Sequence, residues 1–176
     1  FDAVIGGSFW NKWPGQKKLV SDLRSHLIRL SNYETKLDAA RRWHKELHFR
    51  IGVHILRGLV GGAEAGRQYA DLAEAIIKSI WPEVIEQFSM KHGRPPGRGA
   101  IVLGMGSIGM RRLHSGSDLD LIVIYDAEND ESSHSKRPLA ARQYYARLTQ
   151  ALVTALSVQM AEGRLYEVDM RLRPSG

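Results

Sequence analysis

Gly104–Tyr125, GMGSIGMRRLHSGSDLDLIVIY, combines a glycine turn, a short basic segment and two aspartates set into an apolar run. Asp118 and Asp120 alternate with Leu119 and Leu121, so a β-strand here would place both carboxylates on one face and the leucines on the other. Aspartate is a poor strand former, and a conflict between local propensity and overall pattern is expected at functional sites. This stretch therefore predicts a strand and a candidate site on one of its faces.

The two aspartates are predicted to hold a cation. Residues two apart on a strand are separated by roughly 6.6 Å, where two unit charges repel by about 2.5 kcal/mol at an effective dielectric constant of about 20. A Mg²⁺ ion would relieve that repulsion, because it binds one or two carboxylates and completes its shell from substrate phosphates and water. The alternative is a solvated strand end at which Asp118 and Asp120 are ordinary surface residues.

A second strand, predicted over residues 164–173, carries a complementary set of charges. Alternation places its acidic and basic side chains on one face, namely Glu167, Asp169, Arg171 and Arg173. If this strand lies beside the first, Asp169 supplies a third carboxylate, and three carboxylates could hold a metal pair that activates an oxygen and steadies phosphates. Arg171 and Arg173 would then be suited to binding phosphate oxygens.

The first half of the chain has helical periodicity. Apolar residues recur at three- and four-residue steps after Pro14, over residues 33–60 and over residues 63–92, which predicts three amphipathic helices. Pro82 should kink or split the third helix, because proline removes one backbone donor.

The glycine-bounded linker Gly93–Gly97, GRPPG, is predicted to divide the chain. Residues 1–96 would form a helical segment, and residues 97–176 a second part that holds the two candidate site strands and that we expect to be cut short at its C-terminal end. In that second part, Ala100–Leu103 is predicted to be a buried strand and Pro138–Ala161 a long helix. The predicted fold class is therefore α+β, with a helical segment followed by a mixed sheet.

The composition narrows the classes of partner. The 176 residues carry a formal charge of +6, and Lys and Arg outnumber Asp and Glu by 15 to 10 over residues 1–97 and by 10 to 9 over residues 98–176. So diffuse an excess argues against nucleic acid and favours an anionic small molecule or an acidic protein patch. The sequence has no apolar run long enough for a membrane span, and its lack of cysteine is compatible with a reducing cytoplasm. Because it begins with Phe1, we expect a piece cut from a longer protein.

Two other patterns suggest ligand sites. Gly104–Gly109 matches the G-x-G-x-x-G of dinucleotide-binding folds, but the helix after it would be too short to cover a parallel sheet, and the aspartates would stay unexplained. His44 and His48, four residues apart, could ligate a metal. Because no third ligand is evident nearby, a solvated helix face is the preferred interpretation.

Together these residues resemble a known superfamily. Gly106-Ser107, followed after ten residues by Asp118-Leu119-Asp120-Leu121, is similar to the Gly-Ser and D-x-D of the polymerase-beta-like nucleotidyltransferases, whose third carboxylate comes from a neighbouring strand. More narrowly, LGMGSIGMRRLHSGSDLDLIVIYD and LYEVDMRLRPSG are similar to the glutamine synthetase adenylyltransferases, bifunctional bacterial enzymes with two homologous nucleotidyltransferase halves. Arg41–His92 resembles the helical segment before the core in that family. Ser107 departs from the lysine that is more frequent there.

The resemblance implies a polymerase-beta-like core that transfers AMP from ATP to a tyrosine hydroxyl of glutamine synthetase, regulating nitrogen assimilation in the bacterial cytoplasm. It implies that Asp118, Asp120 and Asp169 bind Mg²⁺ and that Asp169 helps to deprotonate the tyrosine. It also implies that Gly106 and Ser107 donate backbone N–H groups, and the serine its hydroxyl, to phosphate oxygens. A nitrogen-signalling protein of the PII type is an implied partner.

Two questions stay open at this point. The ending LYEVDMRLRPSG resembles the transferase half more closely than the half that removes AMP by phosphorolysis, which is the alternative. A non-catalytic module that binds nucleotide or a PII-type protein is the alternative from another class, and three clustered acids argue against it. Arg111 and Arg112 would lie either beside the ATP triphosphate or on the surface, and the sequence favours neither.

Overall fold

The computed structural model describes residues 7–128, 131–135 and 138–174, with the side chains of residue 8 and residues 171–174 outside the description. The elements in this part of the chain are a 3₁₀ turn at Gly7–Trp10, helices α1 (Gln16–Leu27), α2 (Tyr33–Leu56) and α3 (Gly62–His92), strand β1 (Gly99–Gly104), helix α4 (Gly106–Gly109), strand β2 (Leu119–Asp126), helix α5 (Ala141–Ser157) and strand β3 (Val168–Pro174). The predicted α+β class is confirmed. None of the described helices is both long and apolar enough to cross a membrane.

The chain forms two compact units. The first takes its residues from Phe1–Ser79 and Arg111–Ser117, and the second from Ile80–Met110 and Asp118–Gly176. The division between residues 96 and 97 that the linker suggests stays a prediction.

In the first unit, helix α1 buries Leu19, Leu23 and Leu27, which recur every fourth residue as the helical pattern predicts. Asn32 begins helix α2, because its side-chain oxygen accepts the Glu34 N–H at 2.8 Å and so satisfies a donor that has no partner inside the helix.

Of the two predicted effects of Pro82, a kink or a split, the split does not occur, because helix α3 is continuous through this proline. Pro82 has no N–H to donate to the carbonyl of Lys78, four residues earlier. The guanidinium of Arg24 in α1 donates to that carbonyl at 2.8 Å. A side chain from another helix thus replaces the missing backbone donor, which lowers the cost of the proline.

The second unit contains a three-stranded mixed sheet in the order β1-β2-β3. Strands β1 and β2 are antiparallel, and β2 and β3 are parallel. One face of β2 is buried through Leu119, Leu121, Val123 and Tyr125, which confirms the predicted alternation. Tyr125 stacks on Tyr145 of helix α5 with ring centroids 4.4 Å apart, so α5 packs on this face.

The prediction that Ala100–Leu103 is a buried strand is right for the strand and wrong for its burial. Ile101 and Leu103 are 57% and 39% exposed. They pair with Ile124 and Ile122 of β2, and directly opposed residues of antiparallel strands point to the same face. That face carries Asp120, and no described element covers Ile101 or Leu103 there.

Helix α5 also fixes the linker. The hydroxyl of Tyr144 donates to the carbonyl of Gly93 at 2.8 Å, and that of Tyr145 donates to the carbonyl of Pro96 at 2.6 Å. Burial raises the pKa of Tyr145 to about 12. The neutral phenol therefore persists as a donor well above physiological pH.

The prediction of a solvated helix face at His44 and His48 is wrong for His44. His44 is only 7% exposed, and the Nε2–H of His48 donates to the carbonyl of Ser115 at 3.1 Å. Burial, with smaller effects from His48 and Lys45, lowers the pKa of His44 to about 3. His44 is thus a neutral core residue.

Candidate active site

The site residues on β2 and β3 are brought together by strand register. Asp120 pairs with Asp169 across the parallel ladder, so the two carboxylates leave the sheet side by side on the same face. Their strand neighbours Leu119 and Leu121 are buried on the opposite face. The packing of the leucines therefore directs Asp120 outward, and the condition for a third carboxylate at the site, that the two strands be neighbours, is met.

A glycine turn forms the adjacent wall. The N–H of Met105 donates to the carbonyl of Asp120 at 2.8 Å, which fixes the turn against β2. Gly106 then adopts φ 49°, a left-handed conformation that glycine accepts without steric cost. A Cβ added at Gly106 would overlap the Oδ2 atom of Asp120. Glycine is needed here both for the backbone conformation and for the space that the carboxylate occupies.

These residues line an open depression of about 170 Å³ on the sheet. It is lined by two carboxylates, the glycine turn and apolar residues of the turn and of β2, namely Met105, Gly106, Asp120, Leu121, Ile122 and Asp169. Such a surface offers hard oxygen ligands beside an apolar floor. It suits a ligand with both a metal-bound anionic group and an apolar part.

A divalent metal fits part of the predicted ligand set. Asp120 and Asp169 give the one or two carboxylates that Mg²⁺ usually takes, and an open site leaves room for water and phosphate oxygens. Asp118 is exposed just before β2 and does not line the depression. Among the described residues, no group of three or more His, Cys, Asp or Glu side chains is placed to hold a metal ion. The three-aspartate set stays a prediction, and the geometry supports the pair Asp120 and Asp169.

The predicted phosphate-binding residues are placed by backbone alone. Arg171 and Arg173 pair with Ile122 and Ile124, which puts them at successive positions beyond Asp169 on the same side of β3. Their side chains lie outside the described residues, so their phosphate contacts stay a prediction. Ser107 is half-buried in the four-residue helix α4 and does not line the depression.

The structure separates the two arginines that the sequence left equivalent. Arg111 forms ion pairs with Asp71 and with Glu74, the latter at 2.6 Å, both on helix α3. Arg112 is exposed. Sequence reasoning missed Asp71 and Glu74, although acids three residues apart lie on one face of a helix and could have signalled a shared cationic partner.

The fold and the site together define a class of protein. A mixed sheet carries in-register carboxylates on one face and helix α5 on the other, and a glycine turn lies against the carboxylates, as in a nucleotidyltransferase-like α+β core. Comparison with known proteins gives the family. The model of the family "GlnE: Glutamate-ammonia ligase adenylyltransferase" matches residues 4–176, and the chain belongs to that family.

Similar curated proteins carry the same description. The chain is 42% identical over 177 residues to the "Bifunctional glutamine synthetase adenylyltransferase/adenylyl-removing enzyme" of Brucella suis, covering 100% of this chain and 18% of that protein. It is 45% identical over 177 residues to the protein of that name in Xanthobacter autotrophicus, covering 99% of this chain and 18% of that protein. The chain spans less than a fifth of the length of these relatives.

Proposed function

We propose that this chain is the part of a glutamine synthetase adenylyltransferase that transfers AMP from ATP to a tyrosine hydroxyl of glutamine synthetase. The observation that carries the proposal is the in-register pair Asp120 and Asp169 facing the glycine turn. Membership of the family and the names of the relatives support the choice of substrate.

Each residue has a distinct role in this proposal. Asp120 and Asp169, joined by Asp118, would hold Mg²⁺, which supplies charge neutralisation for the triphosphate when it is bound. Backbone N–H groups at Gly106 and Ser107 would bind phosphate oxygens, and Arg171 and Arg173 would provide positive charge at the next positions along β3.

The transfer itself is an in-line displacement. The tyrosine oxygen forms a bond to the α-phosphorus of ATP while the bond from that phosphorus to the oxygen of the departing pyrophosphate breaks. The carboxylate of Asp169 accepts the phenolic proton. In the removing reaction, which the names of the relatives also include, inorganic phosphate would attack the same phosphorus, and ADP and the free tyrosine would be the products.

The test uses the full-length parent protein with α-³²P-labelled ATP, Mg²⁺ and purified glutamine synthetase. Wild type should label the synthetase, and Asp120→Asn should lower the rate by at least about 100-fold, since carboxylates that position metal and phosphates contribute several kcal/mol. Asp126→Asn is the matched control, because Asp126 ends the same strand but lies outside the depression, where it pairs with Arg98 at 3.4 Å.

Three outcomes are informative. Labelling that Asp120→Asn does not reduce would refute the assigned site. Release of ADP from adenylylated synthetase by phosphate, without forward labelling, would assign the removing half. A synthetase that binds the protein without either reaction would support a non-catalytic module.

A PII-type regulator and a cytoplasmic location are also proposed. Adding a purified PII-type protein to the same assay should change the labelling rate.

A further inference from the structure

Arg111 begins the segment Arg111–Ser117, which connects helix α4 to strand β2. It is the one residue other than glycine with a positive φ in the described part of the chain, at 57°. A side chain with a Cβ is uncommon in this conformation and persists there only when its surroundings impose it. Here the guanidinium is bound to Asp71 and Glu74, the latter at 2.6 Å. A two-carboxylate clamp therefore holds Arg111.

Both carboxylates of this clamp are fixed by further contacts. The indole N–H of Trp13 donates to Oδ2 of Asp71 at 3.0 Å, while Arg111 binds the Oδ1 atom of the same carboxylate. The side-chain amide of Gln16 donates to Glu74. Asp71 is 7% exposed. Such a preorganised acidic pair matches the fork of an arginine and discriminates against lysine.

The rest of the segment is fastened to the same unit at two more places. Leu113 is 4% exposed, and its carbonyl oxygen would lie 3.3 Å from a Cβ added at Gly66 of helix α3. The carbonyl of Ser115 accepts the Nε2–H of His48 at 3.1 Å. The seven-residue segment is thus held at three positions, Arg111, Leu113 and Ser115, and only the contact at Arg111 is an ion pair.

We propose that Arg111 is a positioning residue whose ion pairs with Asp71 and Glu74 fix the connection between the two halves of the site. The covalent chain gives the reason. The segment follows Gly106–Met110 directly and is followed directly by Asp118, so its two ends continue into the glycine turn and the acidic strand. The part of this inference that concerns catalysis rests on the proposed function.

A rival role for Arg111 is direct contact with the ATP phosphates. The two roles predict different kinetics. A phosphate contact contributes to ATP binding, so its loss raises KM for ATP, and neutralising Asp71 should leave KM unchanged or lower it. A positioning clamp depends on both partners, so Arg111→Gln and Asp71→Asn should act alike on kcat.

The experiment uses the full-length parent protein in the labelling assay, with steady-state kinetics for ATP. We expect Arg111→Gln and Asp71→Asn each to lower kcat by about 10- to 100-fold and to change KM for ATP by less than about threefold. The double variant should be no worse than Arg111→Gln, because Arg111→Gln already removes the ion pair that Asp71→Asn removes. Arg112→Gln is the matched control, since it removes the same charge one position away from an exposed side chain, and it should keep the wild-type kcat.

Amide hydrogen exchange gives a readout that does not depend on activity. Arg111→Gln should increase exchange across residues 112–119, and Arg112→Gln should not. Arg111→Gln leaves Asp71 buried without its cationic partner. If that variant fails to fold, hydrogen exchange is measured instead on the double variant with Asp71→Asn and Arg111→Gln, which has no unpaired charge at Asp71. Unchanged exchange, a kcat equal to that of Arg112→Gln, or a raised KM in Arg111→Gln alone would each overturn the proposal. If Arg111→Gln increases exchange but the wild-type protein does not label glutamine synthetase, the clamp is supported and the proposed function is rejected.

Discussion

Replacement of Gly106 by alanine tests the central geometry of the site with a single methyl group. Gly106 has φ 49°, and an added Cβ would overlap Oδ2 of Asp120. The substitution therefore has two consequences, a strained backbone and a displaced carboxylate, and the two can be separated.

The expected size of each consequence follows from the geometry. An L-residue in the left-handed region is destabilised by roughly 1–2 kcal/mol relative to glycine. To regain ordinary contact with the new methyl group, the Asp120 carboxylate must move by on the order of 1 Å, and misplacement of that size at a reacting centre lowers the rate by roughly 100-fold. That factor corresponds to about 2.7 kcal/mol of transition-state stabilisation.

Gly58→Ala is the matched control. Gly58 has φ 68°, and an added Cβ there would meet nothing within 4 Å. Thermal unfolding should show a similar loss of stability in both variants, whereas labelling of glutamine synthetase by the full-length protein should fall only in Gly106→Ala. Equal labelling rates in the two variants would show that the contact between Gly106 and Asp120 does not position a catalytic carboxylate.

Two further predictions concern buried titratable groups. Burial lowers the pKa of His44 to about 3, below the unfolded value of 6.5. Between these two pH values the unfolded state binds a proton that the folded state does not bind. The free energy of unfolding should therefore fall as pH drops from about 6.5 to about 3, by up to about 1.4 kcal/mol per pH unit. Urea unfolding measured at several pH values should show that the free energy of unfolding changes less with pH in His44→Gln than in the wild type. His26→Gln, at an exposed position, should keep the wild-type pH dependence. An unchanged pH dependence in His44→Gln would contradict a buried neutral imidazole. Tyr145→Phe leaves the carbonyl of Pro96 without its 2.6 Å partner and should cost about 1–3 kcal/mol in the same measurement, and a loss below about 0.5 kcal/mol would show that this hydrogen bond does not hold the linker.

Much of the second unit could be predicted from the sequence, because its signals are local. The alternation around Asp120 defined a strand with one buried face, and β2 has that pattern. The strand that carries Asp169 lies beside the strand that carries Asp120, as the alternation of charges suggested, whereas the role of these carboxylates in holding a metal stays a prediction. The helical stripes likewise gave helices close to their observed bounds.

The sequence-based predictions failed at residues whose environment is set by a distant part of the chain. Nothing near Pro82 indicates that Arg24 will donate to the carbonyl of Lys78. Histidines at a helical spacing look alike whether their helix face is solvated or covered, so the burial of His44 was not evident. The choice between Arg111 and Arg112 depended on Asp71 and Glu74, about 40 residues earlier in the sequence.

The site itself depends on one such long-range relation, the register of β2 against β3. The N–H of Leu119 donates to the carbonyl of Glu167 at 2.9 Å, and this contact begins the ladder in which Asp120 faces Asp169. A slip of one residue would set Asp120 beside Val168 or Met170 and turn Asp169 toward the opposite face. With the observed register, the next outward position on β3 belongs to Arg171, about 6.6 Å beyond Asp169. The register therefore sets an acidic and a basic residue at alternate positions of one strand, which is the order that the proposed metal and phosphate roles would require.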